Sequence, residues 1–388
     1  MLLHTRMRNV FKSSFQSFQA SSQYDCRNIR LNLSGYGMNI SVIFPSFNSG
    51  KQLIRSLRAA ELELKNHEGQ YEILVVDSSP TILELPGISN LKLIHSKAQL
   101  FASETRNLGA RMASYPILVF IDSDVEVLPE SLSKLLACLK DDFALVGGVY
   151  DEKNPYTSAI STFQDLYLLY RFENIPPGRN FFSSAQFAVS KENFLKVGGF
   201  SENLKSYEDV DLGFKFQKNN LKVHVCQGSR GYHFKSFNLK SIFMDYYLKS
   251  KDMIFYRLRK INDLHLSDTF VPSRVRLSFF LVFGYIFLFV MFAIPNGPVS
   301  LKVEIIALLL LLIIDLVLLG DLLRFFWDKT CRPIFVLKSF LLFKATTLPI
   351  ICGTLGGLIN YLIQDESCLN KTKSSSDIVV TNPTQYNK

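Results

Sequence analysis

The order of hydrophobic and polar positions divides the chain into an alternating region and a strongly apolar last third. From residue 39 to about residue 235, short apolar runs alternate with segments in which apolar residues recur at helical spacing. We predict strands at Asn39–Phe44, Glu72–Val76, Leu91–His95 and Ile117–Ile121, and helices at Lys51–Lys65, Leu100–Ala113 and Pro129–Lys140, the last with Pro129 in its first turn. Such alternation predicts an α/β fold whose largely parallel sheet is covered on both faces.

The last third contains three apolar stretches at Ser278–Ile294, Val303–Leu319 and Ile334–Ile363. The first two come close to the ~20 residues that a membrane-spanning helix needs. The third is interrupted by lysines, a proline and glycines, so it predicts either one tilted span or a broken, re-entrant one. Asp315, inside the second stretch, predicts contact with a partner helix or with a lipid-headgroup path.

A basic amphipathic segment at residues 239–262 precedes these stretches. Its apolar and aromatic residues alternate with lysines and arginines, which is typical of a helix that lies on a membrane surface. The alternative is an ordinary surface helix that packs on the preceding domain.

Basic residues flank the first two stretches on one side (Arg274, Arg276, Arg324, Lys329 and Arg332). The positive-inside rule then places the preceding domain in the cytoplasm and the connection at Pro295–Lys302 outside. We therefore predict an integral protein of the plasma (inner) membrane. If the third stretch crosses fully, the polar tail from Asn370 also lies outside.

Composition supports this picture and excludes other classes of function. The net charge is +9, and lysines and arginines gather beside the apolar runs, where anionic lipid is the expected partner. They form no basic stripe on the α/β region, so the charge does not favour nucleic-acid binding. The six cysteines form no Cys-x-x-Cys pair, which argues against a zinc site or a disulfide framework. We expect an N-terminal extension at 1–37, an α/β domain at 38–237, an interfacial segment at 238–273, a membrane region at 274–364 and a polar tail at 365–388.

Acidic residues follow two of the predicted strands. Asp77 ends the second strand, and Asp122-Ser123-Asp124 follow the fourth. Ligands of open α/β sheets bind beyond the carboxyl ends of the strands. Adjacent carboxylates need a compensating cation or hydrogen-bond donors. Mg²⁺ or Mn²⁺ prefers such oxygens and completes its coordination with substrate phosphates, so we predict a metal–diphosphate site here.

A second acidic group, Glu208-Asp209-Val210-Asp211, begins a predicted helix. These acids serve either the helix dipole or, as one alternative, general-base chemistry on a hydroxyl group. His233 adds a nitrogen ligand or a phosphate partner if it is not simply structural.

Six short motifs occur in order at residues 44–48 (FPSFN), 75–79 (VVDSS), 104–109 (ETRNLG), 120–124 (FIDSD), 197–202 (VGGFSE) and 207–212 (YEDVDL). Together they resemble the inverting family 2 glycosyltransferases of the GT-A fold, with a Rossmann-like, mostly parallel sheet. The resemblance covers about residues 39–235.

The resemblance implies roles for individual residues. Those expected at the donor are Pro45, Phe47, Asn48 and Asp77 near the base, Arg106 and Asn107 along the pocket, and Asp122 on the ribose or sugar. Asp124 and His233 would hold a divalent metal, Mn²⁺ or Mg²⁺. Asp209 would be the general base, and Glu208 would help to bind the acceptor.

The sequence departs from the family pattern in three places. Phe47 replaces a tyrosine, and Ala188-Val189-Ser190-Lys191 lacks an arginine that often precedes the Gly-Gly-Phe segment. Gln227-Gly228-Ser229-Arg230 is followed by Gly231 and not by the tryptophan of processive members. We therefore expect transfer of one sugar per acceptor.

The predicted function is transfer from a nucleotide-sugar donor to a lipid-linked or membrane-associated saccharide acceptor. One alternative is a polyprenyl-phosphate acceptor, which yields an activated lipid-sugar. Another, from a different class, is a non-catalytic membrane-tethered binding module. The oligomeric state is left open.

Overall fold

The computed structural model describes residues 37–140, 143–152, 158–175, 181–202, 204, 206–259, 271–293, 300–363 and 378–381. The expected N-terminal extension, apart from its last residue, lies outside the described residues. So do most of the connection at 295–302 and most of the polar tail.

Nine strands form one mixed sheet within the described residues. They are β1 (Ile40–Ser46), β2 (Tyr71–Asp77), β3 (Leu91–Ser96), β4 (Ile117–Ile121), β5 (Val125–Val127), β6 (Leu145–Tyr150), β7 (Gln186–Ser190), β8 (Val223–His233) and β9 (Ile378–Thr381). Their order is β5-β8-β6-β7-β4-β1-β2-β3-β9. Neighbours among β4, β1, β2 and β3 pair in parallel, as do β6 and β8, which confirms the largely parallel sheet. The antiparallel strand β7 between β4 and β6 was not predicted, because a short buried apolar run carries no information on strand direction.

Ten helices complete the described fold. They are α1 (Gly50–Leu64), α2 (Ala102–Met112), α3 (Ser131–Lys140), α4 (Ala159–Glu173), α5 (Lys191–Lys196), α6 (Glu208–Lys218), α7 (Leu239–Arg259), α8 (Ser273–Ala293), α9 (Leu301–Thr330) and α10 (Pro333–Ile363).

Two predicted element bounds were wrong. The first strand was predicted to end at Phe44, but β1 continues through Pro45 to Ser46; its pairing with β4 ends at Ile43, so the missing amide hydrogen of Pro45 costs no bond to β4. Pro129 does not lie in the first turn of α3. Glu130 has a φ of 63°, which a right-handed helix cannot contain, so the helix begins only at Ser131.

Successive residues of β1 pack on opposite faces of the sheet, as the period of a strand requires. Val42 and Phe44 lie in a cluster with Leu53 and Leu57 of α1, whereas Ile43 lies in a second cluster with Leu108 of α2. The core is thus divided between the two faces, and the helices hold the carboxyl ends of the strands in fixed positions.

The last three helices are each long and apolar enough to cross a membrane. Asp315 of α9 is fully buried and forms a 2.6 Å ion pair with Lys344 of α10, while the hydroxyl groups of Ser278 and Tyr285 donate to it at 2.5 and 3.2 Å. Of the two alternatives for Asp315, the structure therefore has the partner helix. α10 is one continuous helix with Pro349 inside it.

Candidate active site

The turn after β1 and the end of β2 are joined by a chain of hydrogen bonds. The backbone amide of Asn48 donates to Ser79 Oγ at 2.8 Å, and Ser79 Oγ donates to Asp77 Oδ1 at 2.7 Å. His95 Nδ1 lies 3.2 Å from Asp77 Oδ2. Asp77 is fully buried by these partners, whereas the ring of Phe47 is 41% exposed and available for stacking.

The predicted donor residue Arg106 lies at the centre of the acidic groups. Its Nη2 donates to Asp122 Oδ1 at 2.5 Å, and its Nη1 donates to Glu208 Oε1 at 3.1 Å. Arg106 is only 2% exposed, and its guanidinium lies over the ring of Phe200. Arg106 therefore joins the strand-end acids to the helix-start acids.

Asp124 has a different partner, His233 at the end of β8. Their Oδ2 and Nε2 atoms are 3.4 Å apart, and His233 Nδ1 is 3.8 Å from Asp165 Oδ1 on α4. Burial opposes charge on both groups, but their mutual attraction outweighs it. The pKa of Asp124 is therefore lowered, and the pKa of His233 is raised to about 9 by Asp124 and Asp165. Tyr150 fixes the imidazole by stacking on it at 4.6 Å.

Asp209 lies in the first turn of α6, beside Glu208. Burial, together with the like charge of Glu208, raises the pKa of Asp209 to about 7. Tyr207, the residue before the helix, has a φ of 65°, a conformation that residues other than glycine rarely adopt. The helix thus starts from a strained backbone turn, and its first acid, Glu208, reaches Arg106.

Asn107 supports the neighbouring loop. Its Nδ2 donates to the carbonyl of Phe200 and to Glu202 Oε1, both at 2.9 Å, and its Oδ1 accepts from the amide of Phe200 at 2.9 Å. The motif of residues 197–202 is therefore fixed to α2, directly beside Arg106.

Three residues at the site were not found from the sequence, Tyr150, Asp165 and Tyr256, and a fourth, Asp211, was named there without a role of its own. Asp211 accepts hydrogen bonds from Ser201 at 2.6 Å and from Tyr256 of α7 at 2.8 Å. Asp211 was visible within the acidic helix start, but the other three come from distant segments without a local motif.

A divalent cation fits the donor set at Asp124 and His233. No group of three or more His, Cys, Asp or Glu side chains in the described ranges could enclose a metal ion by itself. One carboxylate and one imidazole side by side instead suit a cation that takes its remaining ligands from water and from substrate phosphates.

Comparison with known proteins agrees with this geometry. Residues 41–198 match the family model described as glycosyl transferase family 2. This region is a family 2 glycosyltransferase domain. The matched range contains the strand-end acids but ends before Glu208, Asp209 and His233.

Two curated relatives resemble about half of the chain. An uncharacterized glycosyltransferase of Haemophilus influenzae is 26% identical over 192 residues, which are 45% of this chain and 61% of the relative. A validoxylamine A glucosyltransferase of Streptomyces hygroscopicus is 23% identical over 231 residues, 50% of this chain and 54% of the relative. The chain thus spans between about half and three fifths of these relatives.

A solved structure is similar over a longer part of the chain. The mannosyltransferase PcManGT from Pyrobaculum calidifontis, in complex with GDP-Man and Mn²⁺, is 14% identical with a TM-score of 0.56, over 82% of this chain and 86% of that one. This likeness confirms the GT-A-like fold of the glycosyltransferase domain. The matched 82% of the chain is longer than the whole part that precedes α8, so the structural similarity extends into the C-terminal helices.

Proposed function

We propose that the chain is a membrane-anchored inverting glycosyltransferase that moves one sugar from a nucleotide-sugar donor to a lipid-linked or membrane-associated saccharide. The observation that carries this proposal is the meeting of two acidic groups at Arg106. One group follows a strand end, where a donor diphosphate binds in this fold class, and the other contains a carboxyl with a pKa of about 7. The catalytic side is assigned to the cytoplasm on the flanking basic residues.

The donor would bind along the carboxyl ends of β1, β2 and β4. Phe47 offers an exposed ring to the base, with Asp77 at the neighbouring strand end and the Pro45–Asn48 turn beside it. The second carboxylate oxygen of Asp122, which Arg106 does not bind, would accept a hydrogen bond from a hydroxyl group of the ribose or sugar. Arg106 and Asn107 would act mainly by holding this pocket and the adjoining loop in place.

Asp124 and His233 would hold a divalent cation, Mn²⁺ or Mg²⁺, whose chemistry is to neutralise the departing diphosphate. The Mn²⁺ complex of the mannosyltransferase supports this choice of ligand class. Because His233 has a pKa of about 9, it must release a proton before its nitrogen can act as a ligand, so cation affinity should rise with pH.

Asp209 would act as the general base. The acceptor oxygen forms a bond to the anomeric carbon while the bond from that carbon to the diphosphate oxygen breaks. The acceptor proton passes to Asp209, and the electron pair leaves on the nucleoside diphosphate. A single displacement of this kind inverts the anomeric configuration. A base with a pKa near the working pH suits this proton transfer.

The test is a screen for nucleoside diphosphate release from UDP-, GDP- and dTDP-sugars, with Mn²⁺ and membrane lipid extract. We expect one donor to support release, and Asp209→Asn to abolish most of it. Asp328→Asn, at an exposed acid of α9, is the matched control and should retain full activity. Metal-dependent donor binding without transfer to any extract would instead favour the non-catalytic module.

Analysis of the product separates the two acceptor classes. A sugar linked directly to polyprenyl phosphate is released by mild acid as a monosaccharide, whereas a sugar added to a lipid-linked saccharide is released only as part of an oligosaccharide. Release of the labelled monosaccharide would identify the lipid phosphate as the acceptor in place of the saccharide.

A further inference from the structure

Both ends of α10 lie against helices that pack on the glycosyltransferase domain, and so on the same side of the membrane as that domain. Near its start, Phe335 packs on Phe326 of α9 at 6.2 Å, and Phe326 packs on Phe163 of α4 at 5.8 Å. Near its end, Gly353 and Gly357 pack on α7. A helix that crossed a bilayer would carry one end about 30 Å away from this side.

The second half of α10 runs beside α7 in the same direction. A Cβ atom on Gly353 would lie 2.2 Å from the carbonyl oxygen of Tyr247, and one on Gly357 would lie 2.3 Å from that of Lys251. A step of four residues along α10 thus corresponds to a step of four residues along α7, so the two helices run parallel. Glycine is required at both positions because the two backbones touch.

The other side of α7 is bonded to the glycosyltransferase domain. Asp252 accepts from Ser206 at 2.5 Å, and Tyr256 donates to Asp211 on α6 at 2.8 Å. The end of α10 is therefore separated by one helix from α6, which also carries Asp209. α7 cannot lie in hydrocarbon, because charged residues recur along its whole length (Lys240, Asp245, Lys249, Lys251, Asp252, Arg257 and Arg259).

The chain after α10 returns to the sheet. β9 pairs antiparallel with β3, with Ser96 opposite Ile378 and Leu93 opposite Thr381. α8 and α9 form a hairpin, since Arg274 lies 3.2 Å from Asp321 and Ser278 donates to Asp315. Two crossings by this hairpin bring the chain back to the glycosyltransferase side. A third crossing would leave β9 on the opposite side from its partner strand.

We infer that α10 does not cross the membrane but lies in the plane of its surface beside α7, with β9 on the catalytic side. Its buried face includes Phe343, Gly353 and Gly357. A single exposed stripe faces the other way and fits the apolar edge of the bilayer (Leu337, Leu341, Leu348, Leu355, Ile359 and Leu362). The in-plane position requires that α8 and α9 cross the membrane, but it does not require the proposed transfer reaction.

The depth of the exposed stripe distinguishes an in-plane helix from a spanning one. Single cysteines at Leu341, Leu348 and Leu355 are spin-labelled in the full chain, reconstituted in bilayers, with the other cysteines replaced. Seven helical residues rise about 10.5 Å, so a spanning helix would place successive labels at steps of roughly that depth. We expect one shared, shallow depth, measured by quenching with relaxation agents in lipid and in water.

The matched control uses α9, whose exposed residues Val303, Leu310 and Val317 have the same spacing. Their labels should change depth stepwise. Stepwise depths on α10 would overturn the inference. A common depth for the three α9 labels would also overturn the inference, because it would show that the hairpin does not cross the membrane. Neither outcome bears on the proposed transfer reaction, which is measured separately by nucleotide release.

The side of the C terminus gives an independent check. In sealed vesicles, a tag after Lys388 should be accessible from the same side as a cysteine at Lys51 on α1, and from the side opposite to a cysteine at Ser300. Accessibility of the tag together with Ser300 would contradict the in-plane position.

Discussion

The two acidic groups of the site share one arginine but differ in the partner of their second carboxylate. Arg106 binds Asp122 of the strand-end group and Glu208 of the helix-start group. Asp124 then faces the cationic His233, whereas Asp209 is buried beside the like charge of Glu208 in the first turn of α6.

This difference separates two kinds of chemistry. A carboxylate whose pKa is lowered stays charged and suits a cation, while a carboxyl with a pKa of about 7 can accept a proton near neutral pH. Their surroundings thus suit neighbouring acids of the same type to the different roles that we propose, and removing one part of the contrast at a time tests each role.

The largest effect is expected when the proton acceptor is removed. Asp209→Asn should lower kcat by about 10²–10⁴-fold, the usual contribution of general-base catalysis, with little change in donor KM. Initial rates of nucleotide release measure this. An equal loss in Asp328→Asn would indicate a general defect in the protein.

Arg106→Gln should remove the ion pairs with both acidic groups at once. Removing one partner of a buried charged set costs about 3–5 kcal/mol, because Asp122 and Glu208 are left without their cation. Thermal unfolding in detergent measures the loss. Arg58→Gln, which removes an exposed arginine from its pair with Glu61, is the control and should change the free energy of unfolding by less than about 1 kcal/mol.

Asp124→Asn should affect the cation more than the fold. We expect kcat to fall by about 10²–10³-fold, as for loss of one preorganised electrostatic group, and the Mn²⁺ concentration for half-maximal activity to rise. A titration of activity with Mn²⁺ measures both. An unchanged Mn²⁺ requirement would assign the cation to other ligands.

The contact between α6 and α7 should give the smallest effect. Tyr256→Phe removes the hydrogen bond to Asp211 and should cost about 1 kcal/mol of stability, since Asp211 keeps Ser201 and Lys215 as partners. Tyr246→Phe removes a hydroxyl of the same helix that donates to Gln164 instead. If Asp211 positions α6, only Tyr256→Phe should also lower kcat.

The strands and the acids at their ends were predictable because both are encoded locally. β4 has the predicted bounds, Ile117–Ile121, and Asp122 and Asp124 follow it directly. The shared partner Arg106 was not, since it lies 102 residues from Glu208 and no local pattern links the two. Likewise, no periodicity of the sequence predicts that β9 pairs with β3, because the two strands lie far apart in the chain.

The apolar pattern predicted three long helices correctly and left open whether the third crosses the membrane. α9 and α10 have similar lengths and both exceed the length of a simple span. Their contacts distinguish them, above all those of Gly353 and Gly357 with α7, because hydropathy measures the apolar residues and not the direction of the helix. Pro349 stays inside α10, as neighbouring side chains and helices can satisfy the backbone group that it frees.

The pH dependence of kcat tests most directly whether Asp209 is the proton acceptor. Burial and Glu208 raise its pKa to about 7, so the active, deprotonated form is lost as the pH falls below that value. At saturating donor and Mn²⁺, kcat of the wild-type protein should fall about tenfold per pH unit below pH 7 and level off above it, while the residual rate of Asp209→Asn should be independent of pH in this range. A wild-type kcat that is constant from pH 5.5 to 8, or the same inflection in Asp209→Asn, would contradict the assignment.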